Sequence, residues 1–491
     1  MENNKGTVII DLGTSKISIA KMDGIEGEFK KISFYDSFPS AGISKGRIVN
    51  PAKLTNALTA ALASVSSQTG ISGCSFRVNL PKWDVRKFSV KETLHLSHST
   101  AINASDLEKL NDQVDENARR QINCEEEDIF GTEPQAFTTD DEMNVRKDNL
   151  VGMVGNVLEG SYDIYVGKSN AHDAIDKAFR DASIDKVGSK MCLSSIGDAI
   201  LSGMEMERGI AVMDIGAGAS SVSVYCDGAL RHYASIPFGG NCITSDISAI
   251  CSIEEPLAEN IKCAFGYCMP EKTSYLSEKI IKITDLQIEF TAKYLSEIIS
   301  ARVREIVEAL LYEIQLSGYA ESLRCGLVLT GGCANILNIC PFIKEISGYN
   351  TRKRVASRKR FEAPEEFFST GAVTLAAIAE NIKDIAPVSA PSYNSGVIWP
   401  ANKPENRPEK PAKPQEPEKT EEPKKPEKSE KSEDGENILE RFGHIFKGVV
   451  IDSIDENALD TSPKSSKTAS SKKKKKEEDM GPGLFGFMDN E

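Results

Sequence analysis

Two distant stretches of this chain carry the same pattern. Val8-Ile9-Ile10 reads as a buried strand ending in Asp11, Gly13-Thr14-Ser15 turns it, and Ile17, Ile19 and Ala20 suggest a returning strand. Ala211-Val212-Met213-Asp214, a Gly216/Gly218 turn and alternating Val222 and Val224 repeat it. An aspartate that ends a buried strand is costly unless its carboxylate is paired or near a metal. Glycine in the turn lets backbone N–H groups approach a phosphate closely. One Asp-x-Gly hairpin is an ordinary turn. Two of them facing each other suit phosphates cradled by the turns, with one Mg²⁺ between Asp11 and Asp214 held largely through its waters.

A third element strengthens that reading. Leu327-Val328-Leu329 is a strand running into Thr330-Gly331-Gly332, with a helix expected to begin near Asn335. Such an element brings a helix N-terminus and bare backbone against a ligand, as a purine-ribose site requires. The chain has no G-x-x-x-x-G-K-[ST] and no G-x-G-x-x-G opening a helix, which excludes a P-loop and a Rossmann fingerprint. A long apolar stripe from Leu295 to Ile314 predicts a helix, with Gly318 as its stop. Strands and helices interleave, so the class is α/β.

Size and charge bound the rest. The 491 residues imply two to four units at roughly 100–200 residues per domain. A net charge of −14 argues against a general nucleic-acid binder. Eleven scattered cysteines, without a C-x-x-C pair, read as free thiols in a reducing compartment. The polar start and the lack of a long apolar run predict a cytosolic protein whose membrane contact is peripheral.

Composition changes near Pro387. From about Pro400 to Glu433 the chain is rich in Pro, Glu and Lys, too polar to offset its ordering entropy. Beyond it Ile438, Leu439, Phe442, Ile445, Phe446, Val449, Val450 and Ile454 recur at three-and-four spacing and predict an amphipathic helix. Lys472 to Lys476 and an apolar end with Leu484, Phe485 and Phe487 follow.

The order of first hairpin, second hairpin and Gly-Gly resembles the actin/Hsp70/sugar-kinase superfamily. Within it the chain is similar to the bacterial cell-division FtsA family. The likeness rests on Ser40-Ala41-Gly42-Ile43-Ser44-Lys45-Gly46-Arg47-Ile48, Ala229-Leu230-Arg231-His232 and Ile236-Pro237-Phe238-Gly239-Gly240-Asn241. Thr244-Ser245-Asp246-Ile247, Ala258-Glu259-Asn260-Ile261-Lys262 and Val328-Leu329-Thr330-Gly331-Gly332 extend it. It implies an actin-like two-lobed fold with duplicated ribonuclease-H-like cores. Residues 1–74 and 351–386 would form the first lobe and 75–163 an inserted subdomain. Residues 164–240 and 321–350 would form the second lobe's core, and 241–320 its outer part. A disordered linker (387–435), the amphipathic helix (436–458) and a polybasic tail (459–491) would follow.

The resemblance also implies roles. Gly13, Thr14, Ser15 and Lys16 would line the first phosphate turn, and Gly216, Ala217 and Gly218 the second. Glu259 and Lys262 would contact ribose or base beside Gly331, Gly332 and Asn335, and Asp11 and Asp214 would approach Mg²⁺. The implied partners are ATP, further copies in a filament, the C-terminal peptide of the division-ring protein FtsZ at roughly 241–320, and an anionic membrane surface at the division site.

Two departures bear on turnover. The second turn is Asp214-Ile215-Gly216-Ala217-Gly218-Ala219, without the usual threonine, so Ser220 is the nearest replacement hydroxyl. No carboxylate stands where relatives place a water-positioning group, and Asp198 is the nearest candidate. The expectation is ATP binding with slow or absent hydrolysis, because in-line attack needs a positioned water. A pilus-assembly adaptor of the same fold, or a small-molecule kinase or Hsp70-like ATPase, is the alternative.

Overall fold

The computed structural model describes residues 6–27, 29–184, 187–382 and 449–452. Two sheets of matching topology organise it. In the first, strands run Gly188–Lys190, Ser75–Asn79, Thr7–Leu12, Lys16–Glu26, Phe29–Pro39, with Phe361–Glu362 on the edge. In the second the order is Thr351–Lys353, Leu327–Thr330, Ile210–Ile215, Ser220–Cys226, Ala229–Ile236. Each Asp-x-Gly hairpin is antiparallel, is extended by a third antiparallel strand, and has two parallel strands on its other side. The register repeats too: Asp11 pairs with Ser18 and Asp214 with Ser221. This is the expected duplicated core.

Helices cover these sheets for readable reasons. Pro51–Thr69 has Asn50 as its N-cap, accepting from Lys53 N at 3.0 Å, and buries Leu54, Leu58, Leu62 and Val65 on one face. That spacing is the helical repeat of an apolar stripe. The predicted long helix spans Ala292–Leu316 and buries Leu295, Ile299, Val303, Val307, Leu310 and Ile314. It stops just before Gly318, whose φ of +75° is the left-handed geometry that ends helices.

The insert is a separate layer. Strands Arg86–Ala101, Val154–Lys168 and Glu127–Thr139 form one antiparallel sheet in that order. Helix Ala104–Gln121 packs its Leu110, Val114 and Ala118 on it around Tyr162 and Ile164, making a core distinct from those of the lobes.

Topology shifts three expected boundaries. Ser75–Asn79 pairs with Thr7–Leu12, so it belongs to the first lobe and the insert starts near Arg86. Helix Asn170–Asp181 and strand Gly188–Lys190 also join the first lobe's sheet and core rather than the second lobe. Thr351–Lys353 pairs with Leu327–Thr330 and so completes the second sheet rather than opening the return to the first lobe.

The tail differs as well. Val449 and Val450, expected on a helix face, lie in strand Val449–Asp452. That strand pairs antiparallel with Ile280–Ile283, from Ile283↔Val449 to Ile280↔Asp452, in the outer part of the second lobe. Val-Val-Ile is β-branched and a poor helix former. The two-stranded sheet of Ile280–Ile283 and Ile288–Thr291 offers an edge of backbone groups to pair with. Ile438, Leu439, Phe442, Ile445 and Phe446 lie outside the described residues, as do the linker and residues 459–491.

Candidate functional site

Between the two hairpins lies a cavity of about 480 Å³. Its lining gathers the predicted residues from both lobes: Asp11, Gly13, Thr14, Ser15 and Lys16 from the first hairpin, and Asp214, Gly216, Ala217 and Gly218 from the second. Glu259, Lys262, Gly331, Gly332 and Asn335 complete it. These residues are hundreds of positions apart in sequence and are brought together because each sheet ends its central strand at the same cleft.

The two turns are built alike and braced differently. Gly13 N donates to Lys16 O at 3.0 Å and Gly216 N to Ala219 O at 3.1 Å. In the first turn Thr14 Oγ1 accepts from Gly46 N at 3.0 Å, which draws in the 40–48 segment. In the second, Gly240 N and Asn241 N, at the start of helix Gly240–Cys251, donate to the carbonyls of Gly216 (2.9 Å) and Ala217 (2.8 Å). Thr14 and Gly218 touch across the cleft so closely that a Cβ on Gly218 would collide with the Thr14 side chain. Ser220, considered as a replacement for the missing threonine hydroxyl, donates instead to Phe238 O at 2.7 Å.

Glu259 and Lys262 lie one turn apart on helix Glu255–Phe265. The buried Lys262 ammonium donates to Gly240 O at 3.0 Å, Thr244 Oγ1 at 2.8 Å and Glu259 Oε2 at 2.5 Å. Thr244 Oγ1 also donates to Glu259 Oε2. Burial works against the Glu259 charge, but Lys262 outweighs it and holds the carboxyl below its usual range. The pair is thus a fixed wall of the cavity rather than a mobile surface pair.

The Gly-Gly element is tighter than expected. After strand Leu327–Thr330 the chain makes a 3₁₀ turn over Gly332–Asn335, and the α-helix begins only at Ile339. The cavity therefore meets a 3₁₀ turn and bare glycine backbone, not an α-helix N-terminus. Gly331 has φ +87°, and a Cβ there would stand 2.6 Å from Asp214 Oδ1 and closer still to Ile215 O. Only glycine fits this position.

Sequence reasoning missed several lining residues. Thr370, Gly371 and Thr374 come from the segment that returns to the first lobe, and Asn79 and Lys82 from the connection to the insert. Lys82 Nζ donates to Asp214 Oδ2 at 2.5 Å and to Thr374 Oγ1 at 2.7 Å. Its carbonyl accepts from Tyr233 Oη at 2.7 Å. Burial disfavours the Lys82 charge, yet Asp214 and Asp11 more than offset it and raise its pKa. Burial pushes the Asp11 carboxyl up, eased by Lys82 and Lys16 and worsened by Asp214. The cation position expected for Mg²⁺ beside Asp214 is thus held by an ammonium, and the residues as arranged do not fit a divalent ion there. No sequence motif marks Asn79-Leu80-Pro81-Lys82, and only its place in the fold reveals it.

Asp198 sits on helix Ser194–Ile200 and does not line the cavity. The carboxylates that do are Asp11, Asp214 and Glu259, of which Asp214 accepts from Lys82 and Glu259 from Lys262.

Comparison with known proteins agrees with this architecture. Residues 211–397 match the family described as "Cell division protein FtsA". Cell division protein FtsA of Borreliella burgdorferi is 30% identical over 353 residues, 70% of this chain and 83% of the relative. That of Neisseria meningitidis is 29% identical over 356 residues, 69% and 81% of the two chains. Among solved structures, a chain of the "PilM-PilN type IV pilus biogenesis complex" aligns with a TM-score of 0.51 at 15% identity, covering 76% of this chain and 97% of that one. The shared fold is actin-like; the identity and coverage of the bacterial relatives place this chain in the FtsA family of cell-division proteins.

Proposed function

We propose that this chain binds ATP in the interlobe cleft, assembles into filaments with further copies, and tethers FtsZ to the inner face of the cytoplasmic membrane at the division site. The observation that supports this most is the convergence of both hairpins, the Glu259–Lys262 pair and the Gly331-Gly332 turn on one cavity. In that reading the turns receive the β- and γ-phosphates, and Glu259, Lys262 and Asn335 meet the ribose and base. Of the lining carboxylates, Asp214 and Glu259 are engaged by Lys82 and Lys262, and burial works against the charge of Asp11, so this reading assigns none of them to positioning an attacking water. Turnover well below the ~1 s⁻¹ of ordinary enzymes follows, so ATP acts on lobe closure and assembly more than as fuel.

Among the described residues no helix is long and apolar enough to cross a membrane. Membrane attachment in this reading is peripheral and comes from the apolar residues Ile438, Leu439, Phe442, Ile445 and Phe446, helped by Lys472 to Lys476. Each lysine adds at most ~1 kcal/mol near anionic lipid, so many tails in a filament are needed for firm binding. The test has three arms on the purified protein: ATP titration, capture by the FtsZ C-terminal peptide, and flotation with anionic liposomes. Binding in the first two is expected, with flotation of the full chain and none of a chain ending at Glu433. Flotation of the shortened chain sinks the tether, and a peptide that captures nothing sinks the FtsZ link.

A further inference from the structure

Lys82 lines the cavity and ties the lobes together through an ion pair to a hairpin aspartate, Asp214. It sits in the short connection between strand Ser75–Asn79 and the insert, and its ammonium crosses the cleft to Asp214 on the second lobe. The contact is not that of a loose surface lysine. Thr374 takes a second hydrogen bond from the same ammonium, and Tyr233 of the second lobe holds the Lys82 carbonyl. The connection is pinned further along, where the Arg47 guanidinium stacks 5.2 Å over Trp83 and pairs with Asp84 at 3.3 Å. Just before it, the buried Asn79 donates to Leu80 O at 2.9 Å and accepts from Cys192 N at 3.2 Å.

We infer that Lys82 supplies the positive charge that a divalent cation would otherwise bring to this cleft. Two carboxylates, Asp11 and Asp214, need a counter-charge once buried. Lys82 pairs directly with Asp214 before any nucleotide enters, and Lys82 and Lys16 ease, without cancelling, the cost of burying Asp11. A Mg²⁺ coordinates oxygen and keeps its waters; to sit beside Asp214 it would have to displace an ammonium fixed by Asp214 on the second lobe and Thr374 on the first. The charge is also covalently attached to the strand that leads into the insert. Closing the cleft on Lys82 therefore orients the insert without a metal. This rests on the nucleotide reading above for its ATP arm and not for its latch.

The experiment compares the full chain with Lys82→Met. ATP affinity is measured by calorimetry in millimolar MgCl₂ and in EDTA. Thermal unfolding is measured without nucleotide, with and without MgCl₂. The wild type should bind ATP within about threefold in the two buffers, a difference of under one pK unit in charge terms. K82M should lose about tenfold or more in EDTA and recover most of it in MgCl₂. Without nucleotide, K82M should unfold several degrees lower than wild type, with MgCl₂ restoring part of the loss. A wild type that binds about tenfold more weakly in EDTA overturns the inference, as does a K82M indifferent to MgCl₂. If wild type binds ATP in neither buffer, the nucleotide reading falls while the latch is still decided by unfolding, and an unchanged K82M melt overturns it. Should K82M not fold, Thr374→Val keeps every charge and removes one partner of the ammonium. It should then weaken ATP binding in EDTA by about threefold, and no change counts against the inference.

Discussion

The two Asp-x-Gly turns share topology and register yet contribute different chemistry. The first offers side chains: Thr14, Ser15 and Lys16 all line the cleft, and Thr14 also anchors Gly46. Between Gly216 and Ser220 the second offers mainly backbone, because Ala217 and Ala219 lack hydroxyls and Ser220 is committed to Phe238. Its stiffness comes from the start of helix Gly240–Cys251, which donates into the turn's carbonyls. Lys82 adds to the imbalance, since it too belongs to the first lobe. A duplicated fold thus became an asymmetric grip. One lobe carries the Lys16 and Lys82 charges and the Thr14 and Ser15 hydroxyls, and the other presents a braced platform and the Glu259–Lys262 wall.

The largest effect expected from breaking this arrangement is at Gly331. A Cβ there would run into Asp214 and Ile215 at a positive φ. Gly331→Ala should cost about 2–4 kcal/mol, as a side chain forced into a strained backbone does. Denaturant unfolding checks it, and a loss under half a kilocalorie, the scale of an ordinary surface change, would mean that the Gly-Gly turn is not packed against the second hairpin as described.

A smaller effect is expected at Glu205, which ties the stretch leading out of the first lobe to the second sheet. Its carboxylate accepts from Ser202 N at 2.9 Å, from Arg352 at 2.6 Å and from Arg354 at 2.7 Å. Burial opposes the charge, but these partners outweigh it and hold its pKa at about 2. A carboxyl depressed in the folded state stabilises above its unfolded pKa and loses that contribution as pH falls towards the folded value. Glu205→Gln should therefore cost about 1–2 kcal/mol near neutral pH and progressively less on acidification through the range from the ordinary glutamate value down to 2. A penalty independent of pH would place the effect in packing rather than charge.

The smallest effect sharpens the comparison rather than breaking it. Ala217→Gly with Ala219→Thr gives the second turn the close approach and hydroxyl it lacks. ATP affinity should rise about three- to tenfold, the worth of one neutral hydrogen bond, with stability nearly unchanged. No gain would show that the first lobe and Lys82 already saturate the phosphate site.

Much of this was legible in the sequence because its signals are local. Each hairpin announces itself through a run of apolar residues, an aspartate and a glycine turn. Helix Ala292–Leu316 does so through its apolar stripe. The chain by itself determined that two Asp-x-Gly turns exist and that the second is depleted in hydroxyls. It also determined that the composition turns rich in Pro, Glu and Lys from about Pro400. Where local signals compete, it was less decisive. The 449–452 segment has apolar spacing that suits a helix and β-branched residues that suit a strand, and an available sheet edge decided for the strand. Strand Ser75–Asn79 looks the same whether it opens an insert or completes a first-lobe sheet; only its parallel pairing with Thr7–Leu12 tells. The identity of the cation beside Asp214 lay furthest out of reach. Lys82 is one polar residue in an unremarkable loop, and its partners Asp214 and Thr374 are 132 and 292 positions away. Contacts at that separation follow from how the two sheets close on each other, and no short-range periodicity encodes them.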